Sequence, residues 1–142
     1  YLKPKSSANF TVKSKIIESD WVFLPSWWKK YNDKPVPRAF LPENGLGGFM
    51  VCKESDPIAC MFLYTTNSKT AIPGVTVSDK DYRDNDRNKA LQLLLDFTVK
   101  FAEDLGFKYS WVVANENMLL KKYEKNGFTK FGKPCYELIK KY

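Results

Sequence analysis

Val75-Thr76-Val77-Ser78, the polar loop Arg83-Asp84-Asn85-Asp86-Arg87-Asn88-Lys89, the run from Ala90 to Leu105, and Tyr123-Glu124-Lys125-Asn126-Gly127-Phe128 decide the fold. They read in order as strand, charged loop, long amphipathic helix, second strand, and a short helix closing at a glycine. That order sets a helix N-terminus at the end of a strand, where backbone N–H groups converge and can hold a phosphate. It also brings a tyrosine hydroxyl into the neighbourhood.

Working outward, Ala90, Leu94, Phe97, Phe101 and Leu105 recur at three- and four-residue steps, with Leu91, Leu95 and Ala102 widening the stripe. They predict one long helix with Gly106 at its C-terminal cap. Tyr109 to Ala114 reads as a buried strand, and about Asn117 to Lys125 as a short helix carrying Leu119, Leu120 and Tyr123 on one side. Upstream, Ala71 to Val77 is a strand containing Pro73-Gly74, and proline within a strand implies an edge or a bulge. Phe49 to Cys52 and Ile58 to Tyr64, joined by Glu54-Ser55-Asp56-Pro57, predict an antiparallel hairpin. Phe10, Val12, Ser14 and Ile16 alternate with polar residues as a first strand; residues 1–9 are expected to be loose. Asp20 to Gly48 is rich in aromatics and proline and should be irregular, with a short helix opening at Pro25 or Ser26. Thr129 to Phe131 and Cys135 to Ile139 are expected to form a last hairpin across Gly132-Lys133-Pro134.

The chain has 142 residues, 44% of them hydrophobic and 15% aromatic, enough for one core and too few for two comfortable domains. The expectation is one α/β domain over residues 1–142. No apolar run reaches the roughly 20 residues that span a bilayer, and the first residues lack the apolar segment of a secretory signal, so a soluble, cytoplasmic protein is expected. Cys52, Cys60 and Cys135 form no CxxC pair and read as buried free thiols rather than a disulfide or zinc framework. There is no histidine, which removes Ser-His-Asp and Cys-His nucleophiles, HExxH zinc sites and most transition-metal sites together. Any acid or base here is Tyr, Asp, Glu, Lys, Cys or water.

The formal charge of +7 suits an anionic partner, but the lysines are scattered along the chain as on an ordinary solvated surface. Asp79, Asp81, Asp84 and Asp86 do not make an EF-hand: counted from Asp84, Lys89 stands where glycine is required and Leu95 where the bidentate Glu belongs. Trp27, Trp28 and Tyr31, flanked by Lys29 and Lys30, could stack and clamp a single-stranded nucleic acid. An aromatic cluster flanking a substrate cleft is the preferred reading. In the Arg83 to Lys89 loop, Arg83, Arg87 and Lys89 could add charge-assisted bonds to a pyrophosphate, whereas Asp84 and Asp86 would oppose one unless turned outward.

The order of elements and the Tyr-Glu-Lys-x-Gly-Phe ending resemble the GNAT N-acetyltransferases. The family's loop reads Arg-Gly-x-Gly-x-Gly/Ala, and here Arg83-Asp84-Asn85-Asp86-Arg87-Asn88 occupies it with every glycine replaced. Tyr123 to Phe128 matches the family's ending at each specified position. The resemblance covers Ala71 to the C-terminus and extends to the hairpin Phe49 to Tyr64; Trp27-Trp28, Phe40-Leu41-Pro42 and Gly45 to Gly48 look like a phage-associated subgroup.

The resemblance implies a central, mostly antiparallel sheet, splayed near Pro73-Gly74 and flanked by helices, with acetyl-CoA as donor and a primary amine of a small molecule or peptide as acceptor. Val75, Thr76 and Val77 would bond the pantetheine arm, the amides of Arg83, Asp84, Asn85, Asp86, Arg87, Asn88 and Lys89 would take the pyrophosphate, and Asn115 or Asn117 would approach the pantetheine. Tyr123 would stand near the sulfur as proton donor, suited because a phenol of pKa about 10 stays protonated beside a thiolate whose thiol pKa is about 8.5. Trp27, Trp28, Tyr31 and Glu43 would shape the acceptor site. Many family members carry an acidic residue on the bulged strand; Pro73 to Ser78 holds none, which leaves Glu43, Asp79 or water as base. A non-catalytic acyl-CoA-binding or regulatory domain and a basic nucleic-acid-binding module are the alternatives.

Overall fold

A computed structural model describes residues 9–114 and 118–142. The chain packs as two units, residues up to Val112 and residues from Val113 onward.

The first unit is built on a five-stranded sheet in chain order: β1 (Phe10–Lys13), β2 (Gly48–Lys53), β3 (Asp56–Tyr64), β4 (Thr70–Ser78) and β5 (Tyr109–Ser110). Strands β1 to β4 are antiparallel and β5 runs parallel to β4. The expected hairpin is β2–β3, whose Glu54 and Ser55 both take positive φ, as a tight two-residue connection requires. β1 stops at Lys13, short of the alternation expected to Ile16, although Ile16 is buried.

Successive side chains of β2 face opposite ways, and each face has its own cover. Met50 and Cys52, with Cys60 and Phe62 of β3 and Val77 of β4, pack on Leu24, Trp27 and Trp28 of α1 (Leu24–Lys30). Phe49 meets Phe97 and Phe101 of α2 (Arg87–Asp104) at ring-centroid distances of 5.3 and 4.8 Å on the other face. Ala90, Leu94, Leu95, Thr98 and Ala102 form the buried stripe of α2, while Leu105 is exposed because it lies past the last turn. Gly106 at φ +99° closes α2 with the Phe107 and Gly106 amides donating to the Ala102 and Glu103 carbonyls.

The irregular region from Glu18 to Leu46 is held by Trp21. Its indole N–H donates to the Gly45 carbonyl at 2.9 Å, and the Arg38 guanidinium lies over its ring while pairing with Glu18. A Cβ on Gly45 would come within 2.5 Å of the Trp21 ring, so no other residue fits there.

Three expectations need correction. The segment Tyr109 to Ala114 is a two-residue strand, not a buried one; Tyr109 and Trp111 are exposed because no described strand lies beyond β5. The final hairpin does not form: residues 129–142 contain no strand, and Phe131, Tyr136 and Leu138 face solvent. An isolated two-stranded ribbon buries too little apolar surface to offset its ordering entropy. Cys52 and Cys60 are buried, but Cys135, in that last segment, is exposed.

The second unit contains α3 (Met118–Asn126), which ends at Gly127 with φ +115°.

Candidate functional site

β4 carries a bulge. Phe62 pairs with Gly74 and Cys60 with Val77, so Val75 and Thr76 together stand opposite Met61 alone. Val75 takes φ +52°, a left-handed conformation that costs a β-branched residue of order 1–3 kcal/mol. Such strain persists only where the surroundings impose it; here the Val75 side chain is packed against the α1-side core.

On its other edge, β4 pairs with β5 only at Thr70–Tyr109 and Ala71–Ser110, and the ladder ends where the Trp111 N–H donates to the Ala71 carbonyl at 2.9 Å. From Ile72 to Ser78 that edge has no strand partner among the described residues. Beside the bulge, the backbone of β4 past Ala71 therefore has no ladder partner on that edge among the described residues. Within this stretch the Thr76 Oγ1 is buried and has no hydrogen-bond partner, a hydroxyl that a ligand group could satisfy.

After β4 the chain turns through residues 79–86 into α2. Arg87 fixes that turn: one guanidinium nitrogen donates to the Asp79 and Tyr82 carbonyls at 2.7 and 2.9 Å, the other to Tyr31 Oη at 2.8 Å and to Ser78 Oγ. Tyr31 Oη and Ser78 Oγ are also 3.0 Å apart. Arg87 therefore points inward as a brace and not toward a phosphate, and the Tyr31 hydroxyl is part of the same brace.

Asp86 sits at the N-cap of α2, yet its carboxylate does not cap the helix. It accepts from Lys53 Nζ and from Tyr82 Oη, both at 2.7 Å, and Lys53 Nζ is also 3.8 Å from Asp84. The Lys53 ammonium first, and Tyr82 second, hold the Asp86 carboxyl below its usual range. Partial burial, then the bond to Asp86, pushes the Tyr82 phenol up to about 12. Arg83, Asn85, Asn88 and Lys89 are exposed around the loop.

Tyr123 is on α3 in the second unit. It is 2% exposed, its ring stands edge-on to Phe128, and burial pushes its phenol up to about 12, so it keeps its proton through the neutral range. Asn115 and Asn117 lie outside the described residues. Trp27 and Trp28, expected beside a substrate, are 4% and 6% exposed and belong to the core, so their faces are covered by protein. Glu43 is exposed, in a left-handed turn with φ +50°. Asp79 receives the Asp81 N–H at 3.0 Å in a local turn. A shallow concavity of about 340 Å³, lined by Thr66 to Lys69 and Leu105 to Phe107, is at the C-terminal end of α2, remote along that helix from the loop.

Among the described residues no group of acidic or cysteine side chains could hold a metal, and no helix is long and apolar enough to cross a membrane. The sequence reading missed Lys53 and Tyr82. Lys53 ends β2, more than thirty residues from the loop, and only the strand register brings it there.

No protein-family model matches the sequence, and no curated protein matches it. Solved structures do match. The ribosomal-protein-S18-alanine N-acetyltransferase of Escherichia coli superposes with a TM-score of 0.67 at 16% identity, covering 87% of this chain and 79% of that one. An aminoglycoside acetyltransferase, meta-AAC0020, from an uncultured soil metagenomic sample gives 0.66 at 14% identity, covering 94% and 97%. The fold is that of the GNAT acetyltransferases. N-acetylglutamate synthase of Neisseria gonorrhoeae, complexed with coenzyme A and L-arginine, matches at 0.69 and 11% identity over 89% of this chain and 28% of its own.

Proposed function

We propose that the protein is an N-acetyltransferase that moves an acetyl group from acetyl-CoA to a primary amine on a small molecule or peptide. The observation that carries this is the form of β4, a strained bulge at Val75 beside an edge without a strand partner after Ala71 among the described residues, in a fold shared with acetyltransferases.

The residues present suit acetyl-CoA. Backbone groups of Val75, Thr76 and Val77 would bond the pantetheine arm, and Thr76 Oγ1 supplies an unused donor and acceptor in the same stretch. Amides of the Arg83 to Lys89 loop, with the positive end of α2, would take the pyrophosphate, and Arg83 and Lys89 would add charge from exposed side chains. When bound, acetyl-CoA supplies an activated thioester carbonyl. Tyr123, which burial keeps protonated through the neutral range, would be the proton donor that the resemblance implies. No carboxylate lies between Pro73 and Ser78, so an amine that reaches the site must lose its proton to water or to Asp79 or Glu43. The donor is a metabolite of the cell interior, which favours the cytoplasm.

Thermal-shift titration with acetyl-CoA and CoA tests the claim, because a ligand that binds only the folded state raises stability by RT ln(1 + [L]/Kd). No shift at about 1 mM ligand, which would put Kd well above that concentration, rejects it. A second reading, an acyl-CoA-binding domain without turnover, is favoured by the inward-turned Arg87 and the missing β4 carboxylate. Thiol release over a panel of amines and peptides, measured on the same protein, separates binding with turnover from binding alone.

A further inference from the structure

We propose that Tyr31 is a positioning residue for the bulged strand: its hydroxyl ties the end of β4 to α1 and so holds Val75 in the conformation in which β4 would receive the pantetheine arm. The role in binding rests on the acyl-CoA reading; the tie between α1 and β4 does not.

A left-handed φ at a β-branched residue persists only when the chain is held on both sides of it. Before the bulge, β4 is paired with β3 at Ile72, Pro73 and Gly74; after it, the ladder keeps only Val77 and Ser78, with one more bond from the Asp79 N–H to the Ile58 carbonyl at 2.7 Å. Element ends open most easily, so so short a stretch needs a further hold. Ser78 provides it. Its Oγ is 3.0 Å from Tyr31 Oη, 47 residues away in sequence, and accepts from the same Arg87 nitrogen that donates to Tyr31 Oη at 2.8 Å. Phenol, hydroxyl and guanidinium thus close a ring in which each group bonds the other two.

Tyr31 is the C-cap of α1, and α1 is fixed to the sheet by Leu24, Trp27 and Trp28, in the same core on which Val75 packs. The helix therefore restrains β4 at two points on either side of Thr76: the Val75 side chain and the Ser78 hydroxyl. Lys80 steadies the ring, its ammonium donating to the Lys30 carbonyl at 3.0 Å and lying 5.4 Å over the Tyr31 ring centre. Arg87 also serves the Asp79 and Tyr82 carbonyls, so its loss would disturb the whole turn. The Tyr31 hydroxyl can be removed with the ring and its Lys80 contact kept.

Hydrogen exchange of the full chain without ligand, read by segment in a mass spectrometer, tests the tie; calorimetry with CoA, well below the melting temperature of each variant, tests its use. Tyr31→Phe should speed exchange across residues 72–79 about ten-fold while residues 48–53 of β2 exchange as in the wild type. It should weaken CoA binding about five-fold, the loss of roughly one hydrogen bond. Ser78→Ala should do the same, and the double variant should bind no more weakly than either single one, because two residues acting through one bond are not additive. Unchanged exchange over residues 72–79 overturns the proposal; if CoA binding still weakens, the hydroxyl touches the ligand and not the strand. Faster exchange with unchanged CoA binding overturns it, as do additive losses in the double variant or a loosening that includes β2. Failure of the wild type to bind CoA overturns the acyl-CoA reading and the binding role together, and is distinguishable because it precedes any substitution.

Discussion

The Phe128 N–H donates to the Tyr123 carbonyl at 3.0 Å, and the two rings meet edge-on with centroids 4.9 Å apart. The Gly127 N–H donates to the Glu124 carbonyl at 3.0 Å, so α3 ends in the paired bonds of a Schellman motif with its usual apolar contact. The Tyr-Glu-Lys-Asn-Gly-Phe ending is thus first a helix stop. Its glycine supplies the left-handed residue, its phenylalanine the contact, and its tyrosine the partner ring.

Gly127→Ala should therefore cost about 1–2 kcal/mol, the penalty for a Cβ in a left-handed conformation. Urea denaturation measures it. A cost near zero would mean that α3 does not need this cap.

Tyr123 carries a pH signature. Burial raises its phenol from the ordinary value of about 10 to about 12, so the folded state holds the proton more tightly than the unfolded one. The stabilisation it represents is complete below pH 10 and is lost as pH rises toward 12, by up to about 1.4 kcal/mol per pH unit. Tyr123→Phe should flatten that alkaline loss, visible in melting temperatures between pH 9 and 11. In turnover, the same variant should lower kcat while CoA affinity changes little.

Thr76→Val removes a buried hydroxyl that has no partner in the protein. The free protein should be unaffected or gain up to about 1 kcal/mol, since an unmet polar group is replaced by an isosteric apolar one. The stabilisation produced by CoA should shrink if the hydroxyl bonds the ligand. Equal CoA shifts for Thr76 and Val at this position would show that it does not.

Arg87→Lys should destabilise by about 2–4 kcal/mol, because one ammonium cannot serve the Asp79 and Tyr82 carbonyls, Ser78 and Tyr31 together. Chemical denaturation reads this directly. Arg83→Lys, at an exposed position, should stay within about 0.5 kcal/mol of wild type.

What was legible in the chain follows from local physics. The apolar spacing from Ala90 to Ala102 dictates α2, Gly106 and Gly127 mark its end and that of α3, and Pro73-Gly74 announces the break in β4. These signals need only the residue's own conformational preference or its near neighbours in sequence. The elements of the candidate site were legible to the same depth: a polar loop before a helix, a bulged strand, a tyrosine near a helix end.

Tertiary structure alone decided what each side chain does there. Trp27 and Trp28 read as a binding surface, yet the sheet face of Met50, Cys52, Cys60 and Phe62 covers them. Arg87 read as a phosphate ligand, yet four oxygens within the fold use its guanidinium. The Asp86 carboxylate read as an obstacle to an anion, and in the fold it is paired with Lys53 and Tyr82. A sequence states which groups are present and the local shapes they prefer; which partner each finds depends on strand register and packing between residues far apart in the chain, and that is settled only when the core closes.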